Sequence, residues 1–223
     1  MSDVWTFEEL DRDGAIAETA EHVEPVTRAA FLKKAGVGVG AVAGSGMILG
    51  ALPSVAFGAS IPKSDIAILN FALTLEYLEA AFYEEAVRKG KLSGETQHFA
   101  QAVASHEAAH VAFLKKALGA KAVKKPKFDF QGTTGDQAKF EATAQTLEDT
   151  GVQAYLGQAG KIKAKPILAA AGSILPVEAR HAAWIRDIRG RGNAPLPAPN
   201  AFEGARSKSQ ILAKVKSTGF ILA

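Results

Sequence analysis

Apolar residues recur every three or four positions through most of the chain after Pro62, and this period predicts α-helices. The predicted helices cover residues 64–89, 93–118, 136–161 and 166–189. Ser64 or Asp65 can cap the first helix, because both side chains accept hydrogen bonds from free backbone N–H groups. The pattern contains no convincing pair of strands, so the predicted fold class is all-α.

The spacing of the four helices predicts two antiparallel hairpins. Short turns separate the first helix from the second and the third from the fourth. Between the second and third helices, residues 121–136 are basic and then contain Pro126, Gly132 and Gly135, which indicates a long crossover. The tail from residue 191 contains an amphipathic stretch at 211–222, which either covers the bundle or contacts a partner.

The two predicted hairpins repeat one design. Thr-Leu-Glu occurs at 74–76 and 146–148, and a tyrosine follows each glutamate by seven residues, at Tyr83 and Tyr155. Glu-Ala-x-His-x-Ala, followed by an aromatic, an aliphatic and a basic residue, occurs at 107–115 and 178–186. The two hairpins therefore carry the same side chains at the same places.

The repeated residues predict one cluster inside the bundle. Glutamate and histidine three positions apart lie on one face of a helix, so each Glu-x-x-His directs a carboxylate and an imidazole to one point. In an antiparallel hairpin, residues equally far from the turn lie at the same height, and the four candidate turns meet this condition. The predicted site residues are Glu76, Glu107, His110, Glu148, Glu178 and His181.

This set of side chains predicts a pair of metal ions. Four ionised carboxylates in a bundle core repel one another and lose hydration, whereas two divalent cations balance their charge. Carboxylate and imidazole ligands without thiolates suit iron or manganese rather than structural zinc. A glutamate from each of two helices with Glu-x-x-His from the other two is the carboxylate arrangement of dinuclear iron and manganese bundles. The expected cofactors are two Fe ions, two Mn ions or a mixed pair.

Several neighbouring residues fit the pattern less well. Glu95 and His98 repeat the Glu-x-x-His spacing, but they fall in the first turn of the second helix. Glu95 is interpreted as an acidic residue of the helix start and His98 as a surface residue. Glu79, one turn after Glu76, is either a further carboxylate of the site or a flanking residue, and the flank is favoured. His106 is either a support for the site or a partly buried core histidine.

The N-terminal residues have the pattern of a targeting segment rather than of a helix of the bundle. Residues 1–26 are acidic and are expected to be disordered. A basic segment, a glycine-rich apolar run at 35–52 and small residues up to 60 have the layout of an export signal, similar to a twin-arginine signal with Ala29 in place of the second arginine. The run is also long enough for a membrane anchor, and a core helix is the remaining alternative. We expect an exported protein of the cell envelope or beyond, with the signal cleaved or retained.

Composition excludes other classes of protein. The chain has no cysteine, which excludes a disulfide scaffold, a thiolate metal site and a cysteine nucleophile. The net charge is +3, and the basic residues after position 26 are spread along helices and loops without interleaved aromatic residues. We therefore expect metal ions and small oxidants as partners, and no nucleic acid.

Residues 62–190 resemble the ferritin-like superfamily, and most closely the exported bacterial ferritin-like domain proteins related to plant desiccation-associated proteins. The resemblance implies a ferritin-like four-helix bundle in which the six residues hold two metals and Tyr83 lies near them. It departs at His106 and Val177, where many relatives have an aspartate before Glu-x-x-His. The implied function is redox chemistry with dioxygen, peroxide or ferrous iron, in stress or iron handling. The alternative is a non-catalytic stress or desiccation protein, with metals as staples or without metal, and the oligomeric state is left open.

Overall fold

The computed structural model describes residues 61–191, Asn193 and residues 196–222. These residues comprise the predicted bundle and its C-terminal tail. The acidic N-terminus at 1–26 and the export signal or anchor at 27–60 lie outside the described residues, so those two predictions stay predictions.

The four predicted helices are present, each within two residues of its predicted bounds. Helix α1 ends where Gly90 adopts a left-handed conformation (φ 61°), which is the usual conformation of a residue that terminates a helix. A fifth helix lies in the tail. The bounds are α1 Lys63–Lys89, α2 Gly94–Leu118, α3 Gln137–Ala159, α4 Lys165–Gly190 and α5 Lys208–Thr218. The all-α fold class is therefore confirmed.

Contacts at the two ends of the bundle establish its topology. At one end, the carboxylate of Asp65 accepts hydrogen bonds from the backbone N–H groups of Lys163 and Ala164, between α3 and α4. At the other end, the backbone N–H of Ser93 donates to the Gln137 side chain at the start of α3. The crossover therefore runs the length of the bundle. Asp65 joins the hairpins and does not cap α1, whose N-cap is Pro62, so the predicted capping role was wrong.

The crossover carries short elements that the sequence pattern does not show. It contains two 3₁₀ turns, Gly119–Lys121 and Thr133–Gly135, and strand β1, Lys127–Phe128. Strand β1 pairs antiparallel with β2, Ile221–Leu222, near the end of the chain. The expectation of no strand pair was wrong here, because two residues are too few to show an alternating pattern.

The hydrophobic core has two parts. The first is rich in aromatic side chains, with the rings of Phe82 and Phe140 stacked 5.1 Å apart. The second contains Leu73, Leu114 and Ile167 nearer the start of α1. On α1, residues of both parts lie on either side of Glu76, with Phe71 and Leu73 before it and Tyr77 and Leu78 after it, so apolar packing encloses this carboxylate.

The C-terminal tail covers one side of the bundle. Ile211 and Val215 of α5 join the aromatic part of the core. Before α5, the backbone N–H of Arg206 donates to the carbonyl of Gln153 on α3, at 3.1 Å. Gly157 permits this approach, because a Cβ at that position would overlap the Arg206 carbonyl group. The tail thus contributes to the core, and of the two alternatives for it the structure supports the covering role.

Helix α1 has the length and apolar composition of a membrane span, the one such helix in the described part of the chain. Its apolar window has a mean hydropathy of 1.3, and 61 % of that window is buried inside the bundle. Burial of this kind is typical of a core helix.

We expect Gly157→Ala to lower the free energy of unfolding by about 1–3 kcal/mol, because the new methyl group overlaps backbone that cannot move without releasing the tail. Chemical denaturation measures the change, and limited proteolysis of residues 196–207 reports the release. Gly172→Ala is the matched control, since a Cβ there meets nothing within 4 Å. It should stabilise α4 by about 0.5–1 kcal/mol. Equal stability of the two variants would contradict the packing of the tail on α3.

Candidate metal centre

Each of the four long helices contributes one turn to a polar layer in the bundle interior. The side chains point inward because they occupy the apolar face of their own helix, among core residues such as Leu73 and Phe99. All six predicted site residues are buried, with at most 9 % of any residue exposed. They are Glu76 on α1, Glu107 and His110 on α2, Glu148 on α3, and Glu178 and His181 on α4.

Four of these residues form a group around His110. The His110 Nδ1 atom lies 3.2 Å from carboxylate oxygens of Glu76 and Glu107, and 3.1 Å from Glu178 Oε1. One ligand atom from each of the four residues lies within 4.8 Å of the others, which is the spacing of ligands around a single ion. We call this group the His110 position.

A second group surrounds His181. The His181 Nδ1 atom lies 3.2 Å from Glu148 Oε2 and 3.3 Å from Glu107 Oε1. With Glu178, these residues again place four ligand atoms within 4.8 Å of one another, and we call this group the His181 position. Glu107 and Glu178 belong to both positions, so the two positions are adjacent and share two carboxylates.

The shared carboxylates lack the hydrogen bonds that buried oxygens normally have. Both oxygens of Glu178 and Oε1 of Glu107 are buried and accept no well-formed hydrogen bond from the described residues. The imidazoles of His110 and His181 lie within ion-pair distance of Glu178 Oε1 and Glu107 Oε1, so of these three oxygens Glu178 Oε2 alone has neither kind of contact. Buried polar atoms without a partner are rare in proteins, because desolvation destabilises them. The donor set and these free oxygens fit a pair of metal ions.

Without metal, Glu76, Glu148 and Glu178 are shifted towards their neutral form, because burial raises the pKa of each carboxyl group. Burial raises the pKa of Glu76 to about 7, although His110 opposes the shift. Burial also raises the pKa of Glu178 well above its usual value, and the carboxylates of Glu107 and Glu76 raise it further. The layer therefore requires positive charge before all its carboxylates can ionise.

The imidazoles supply part of that charge. Burial opposes protonation of His181, but the carboxylates of Glu148 and Glu107 outweigh it and raise the pKa of His181 to about 10. The pKa of His110 is also raised, mainly by Glu76, against the effect of burial. Burial opposes ionisation of Glu107, but the facing imidazoles hold its pKa below the usual value. Without metal, the protonated imidazoles of His110 and His181 thus supply positive charge that partly balances the ionised carboxylates.

Two tyrosines connect the hairpins across the layer. The Tyr83 hydroxyl on α1 donates to Glu148 on α3, and the Tyr155 hydroxyl on α3 donates to Glu76 on α1. Tyr83 lies beside the site, as the resemblance implied. No role was predicted for Tyr155, although it follows Glu148 at the same distance as Tyr83 follows Glu76, and this repeat was the sequence signal for its contact.

His106 supports His181 from outside the layer. The two rings stack with centroids 5.1 Å apart, and His106 Nδ1 lies 2.9 Å from His181 Nε2. The hydrogen bond leaves His181 Nδ1 facing the carboxylates. Val177 holds the equivalent place in the second hairpin and has no polar side-chain atom, so the two histidines are supported unequally.

Two interpretations of neighbouring residues have different outcomes. The interpretation of Glu95 as an acidic residue of the helix start is confirmed, since it lies in the first turn of α2. The surface interpretation of His98 is also confirmed, since its side chain is 70 % exposed. The flanking interpretation of Glu79 is wrong, because this residue is only 3 % exposed and its carboxylate faces Gly151 and Glu178. Gly151 on α3 leaves space for the carboxylate of Glu79 on α1. The sequence pattern did not indicate this contact, because the two residues are far apart along the chain.

Comparison with known protein families agrees with this architecture. Residues 64–191, more than half of the chain, match the family model described as the ferritin-like domain. This chain belongs to the ferritin-like domain family. The matched residues of this ferritin-like domain include both hairpins and all six candidate ligands. No curated protein matches the chain.

The ferritin-like fold and the buried cluster are together compatible with a dinuclear metal site. The cluster contains oxygen and imidazole ligands alone, which suits iron or manganese without distinguishing them. The match shows the family and fold, and the chemistry has to be argued from the site itself.

The pKa shifts predict how the metal-free ferritin-like domain responds to pH. The pKa of Glu76 rises from 4.5 to about 7, so the stability that its neutral form contributes is complete below pH 4.5 and is lost towards pH 7. For Glu76 alone this loss corresponds to about 3 kcal/mol. The contribution of protonated His181 is lost at higher pH, as the pH rises through about 10.

Protein with metal bound should behave in the opposite way over the interval from pH 4.5 to 7. Metals bind the ionised ligands, so their stabilising effect increases with pH. Urea denaturation of chelator-treated and Mn²⁺-loaded protein across this interval measures both slopes. A chelator-treated protein that gained stability with rising pH would show that the buried carboxylates ionise without a cation.

Proposed function

We propose that this protein is a dinuclear iron or manganese protein that reacts with dioxygen, peroxide or ferrous iron. One observation carries the proposal: two adjacent ligand groups share Glu107 and Glu178, and both shared carboxylates have buried oxygens without hydrogen-bond partners among the described residues. A carboxylate that belongs to two positions is suited to bridge two ions.

Charge supports a pair of divalent ions rather than one. Glu76, Glu107, Glu148 and Glu178 carry four negative charges when ionised, and two divalent cations balance them. Neutral His110 and His181 would then each place Nδ1 on one ion. Iron or manganese bound in this way supplies electrons to small oxidants or accepts them from ferrous iron.

The remaining side chains hold the ligands and their protons. The Tyr83 and Tyr155 hydroxyl groups donate to Glu148 and Glu76, so each orients the carboxylate of the other hairpin. His106 orients His181 through the hydrogen bond to Nε2. Removal of a hydrogen bond that orients a metal ligand typically lowers metal affinity by about tenfold to 100-fold.

The surroundings favour a small substrate. An apolar cavity of about 20 Å³ adjoins the layer and includes Leu75, Tyr155 and Ile174 in its wall. A cavity of this size admits an object about as large as one water molecule. Dioxygen and hydrogen peroxide are close to this limit, whereas a larger organic substrate would have to displace core side chains.

The second candidate function is structural. Each position takes ligands from both hairpins, so two bound metals would staple the hairpins together without any turnover. For either function we propose export to the cell envelope or beyond, with residues 35–52 either cleaved as part of a signal or retained as an anchor. This part of the proposal depends on residues outside the described ones.

We expect protein purified without an affinity metal to contain about two Fe or Mn ions per chain by elemental analysis. The variants Glu107→Ala and Glu178→Ala should lose both ions, because each removes a ligand shared by the two positions. Absence of bound Fe and Mn after reconstitution of the wild type would contradict the proposed dinuclear metal site.

We expect His110→Ala to reduce the rate of Fe²⁺ oxidation or peroxide consumption by about 100-fold or more, because it removes one ligand of the metal pair. His98→Ala is the matched control, since His98 has the same Glu-x-x-His spacing but lies on the surface. Circular dichroism confirms that both variants remain helical. Metal-loaded protein with equal rates in wild type and His110→Ala would favour the structural function instead.

A further inference from the structure

The two hairpins differ at one position in the interior of the site. The residue one turn after the first glutamate is Glu79 in the first hairpin and Gly151 in the second. Everywhere else in the polar layer, the repeat places matching acids, histidines and tyrosines. The layer therefore contains a fifth carboxylate on one side, and the opposite position has no side chain.

Glu79 and Gly151 are fitted to each other in space. A Cβ built at Gly151 would lie 3.3 Å from Glu79 Oε1 and 3.1 Å from Glu178 Oε2. At these distances the methyl group of an alanine would be too close to both carboxylates. Because position 151 is a glycine, Glu79 and Glu178 can keep the positions that they have. Glu178 Oε2 is buried without a hydrogen-bond partner within the described part of the chain, and Glu79 Oε1 faces the same glycine.

We propose that Glu79 is a further metal ligand of the His181 position, in the space that Gly151 leaves open. The inference rests on the proposed metal centre and adds to it. Gly151 lies one turn after Glu148, which belongs to the His181 position alone, so the carboxylate that faces Gly151 lies on that side of the layer. Burial raises the pKa of Glu79 well above its usual value. Among the four carboxylates that raise this pKa further, Glu178 and Glu148 have the largest effects, and Glu76, which belongs only to the His110 position, has the smallest.

The two metal positions are then unequal. Each position has four residues whose ligand atoms lie within 4.8 Å of one another, and Glu79 would be a fifth ligand at the His181 position. The histidine of that position is also held by His106. A small oxidant has more room at the position with fewer protein ligands. The fifth carboxylate also brings the ligand charge to −5, which matches one divalent and one trivalent ion.

The test is a Mn²⁺ titration of metal-free full-length protein, in which electron paramagnetic resonance counts free Mn²⁺. Wild type should bind two ions. In Glu79→Gln, one dissociation constant should rise about tenfold or more, and the other should stay within about twofold. Glu84→Gln is the control, because Glu84 lies on the same helix with its side chain 73 % exposed.

Two paired variants identify the position affected. In a His110→Ala background the remaining Mn²⁺ occupies the His181 position, and Glu79→Gln should weaken it about tenfold. In a His181→Ala background, Glu79→Gln should leave Mn²⁺ affinity unchanged. Gly151→Ala, which fills the pocket of Glu79, should reproduce the effect of Glu79→Gln.

Each other outcome overturns the inference. Two unchanged dissociation constants in Glu79→Gln would show that Glu79 is no ligand. Equal weakening of both ions would show a general effect of charge rather than a bond at the His181 position. A wild-type protein that binds no Mn²⁺ or Fe²⁺ would overturn the proposed function as well, whereas wild-type binding with unaffected variants would overturn only the role of Glu79.

Discussion

Compensation of buried negative charge is the constraint on which this bundle depends. Glu76, Glu107, Glu148 and Glu178 lie in the interior with at most 1 % of each residue exposed. Water cannot stabilise their ionised forms there, so the layer must hold protons or bind cations. The length of the crossover, the inward direction of both Glu-x-x-His motifs and the tyrosine hydrogen bonds all serve to place these groups around one point. Apolar packing on both sides of the layer makes the electrostatic requirement stronger.

The polar layer takes equivalent residues from the two hairpins, but the equivalence fails at two places beside the ligands. Ligands and tyrosines repeat between the hairpins, which accounts for the two similar positions. His106 has no polar counterpart at Val177, and Glu79 faces a glycine. These differences favour different roles for the two positions. The protein would hold an ion more firmly at the His181 position, and the His110 position would be more accessible to a reactant. A duplicated hairpin would start symmetric, and such substitutions then distinguish its halves.

Sequence periodicity was sufficient to predict the helices, because each has one continuous apolar face. The repeat was sufficient to predict which six residues meet, since antiparallel hairpins place equivalent turns at one height. The position of Glu79 was predicted wrongly because its burial depends on Gly151, which is remote in sequence. The contact of His106 with His181 and the pairing of β1 with β2 likewise depend on how the hairpins and the tail pack, which local patterns do not contain.

The cross-linking of hairpins by shared ligands has a consequence for the integrity of the chain. Glu178 of the second hairpin completes the His110 position, and Glu107 of the first completes the His181 position. Neither hairpin alone holds a full set of ligands, so metal affinity and the docking of the two halves are thermodynamically linked. The apolar core also joins the hairpins, with Phe82 of the first stacked on Phe140 of the second. In the proposed metal-bound state, a chain cleaved within residues 121–136 would therefore hold its two halves together more tightly than the same cleaved chain after treatment with a chelator.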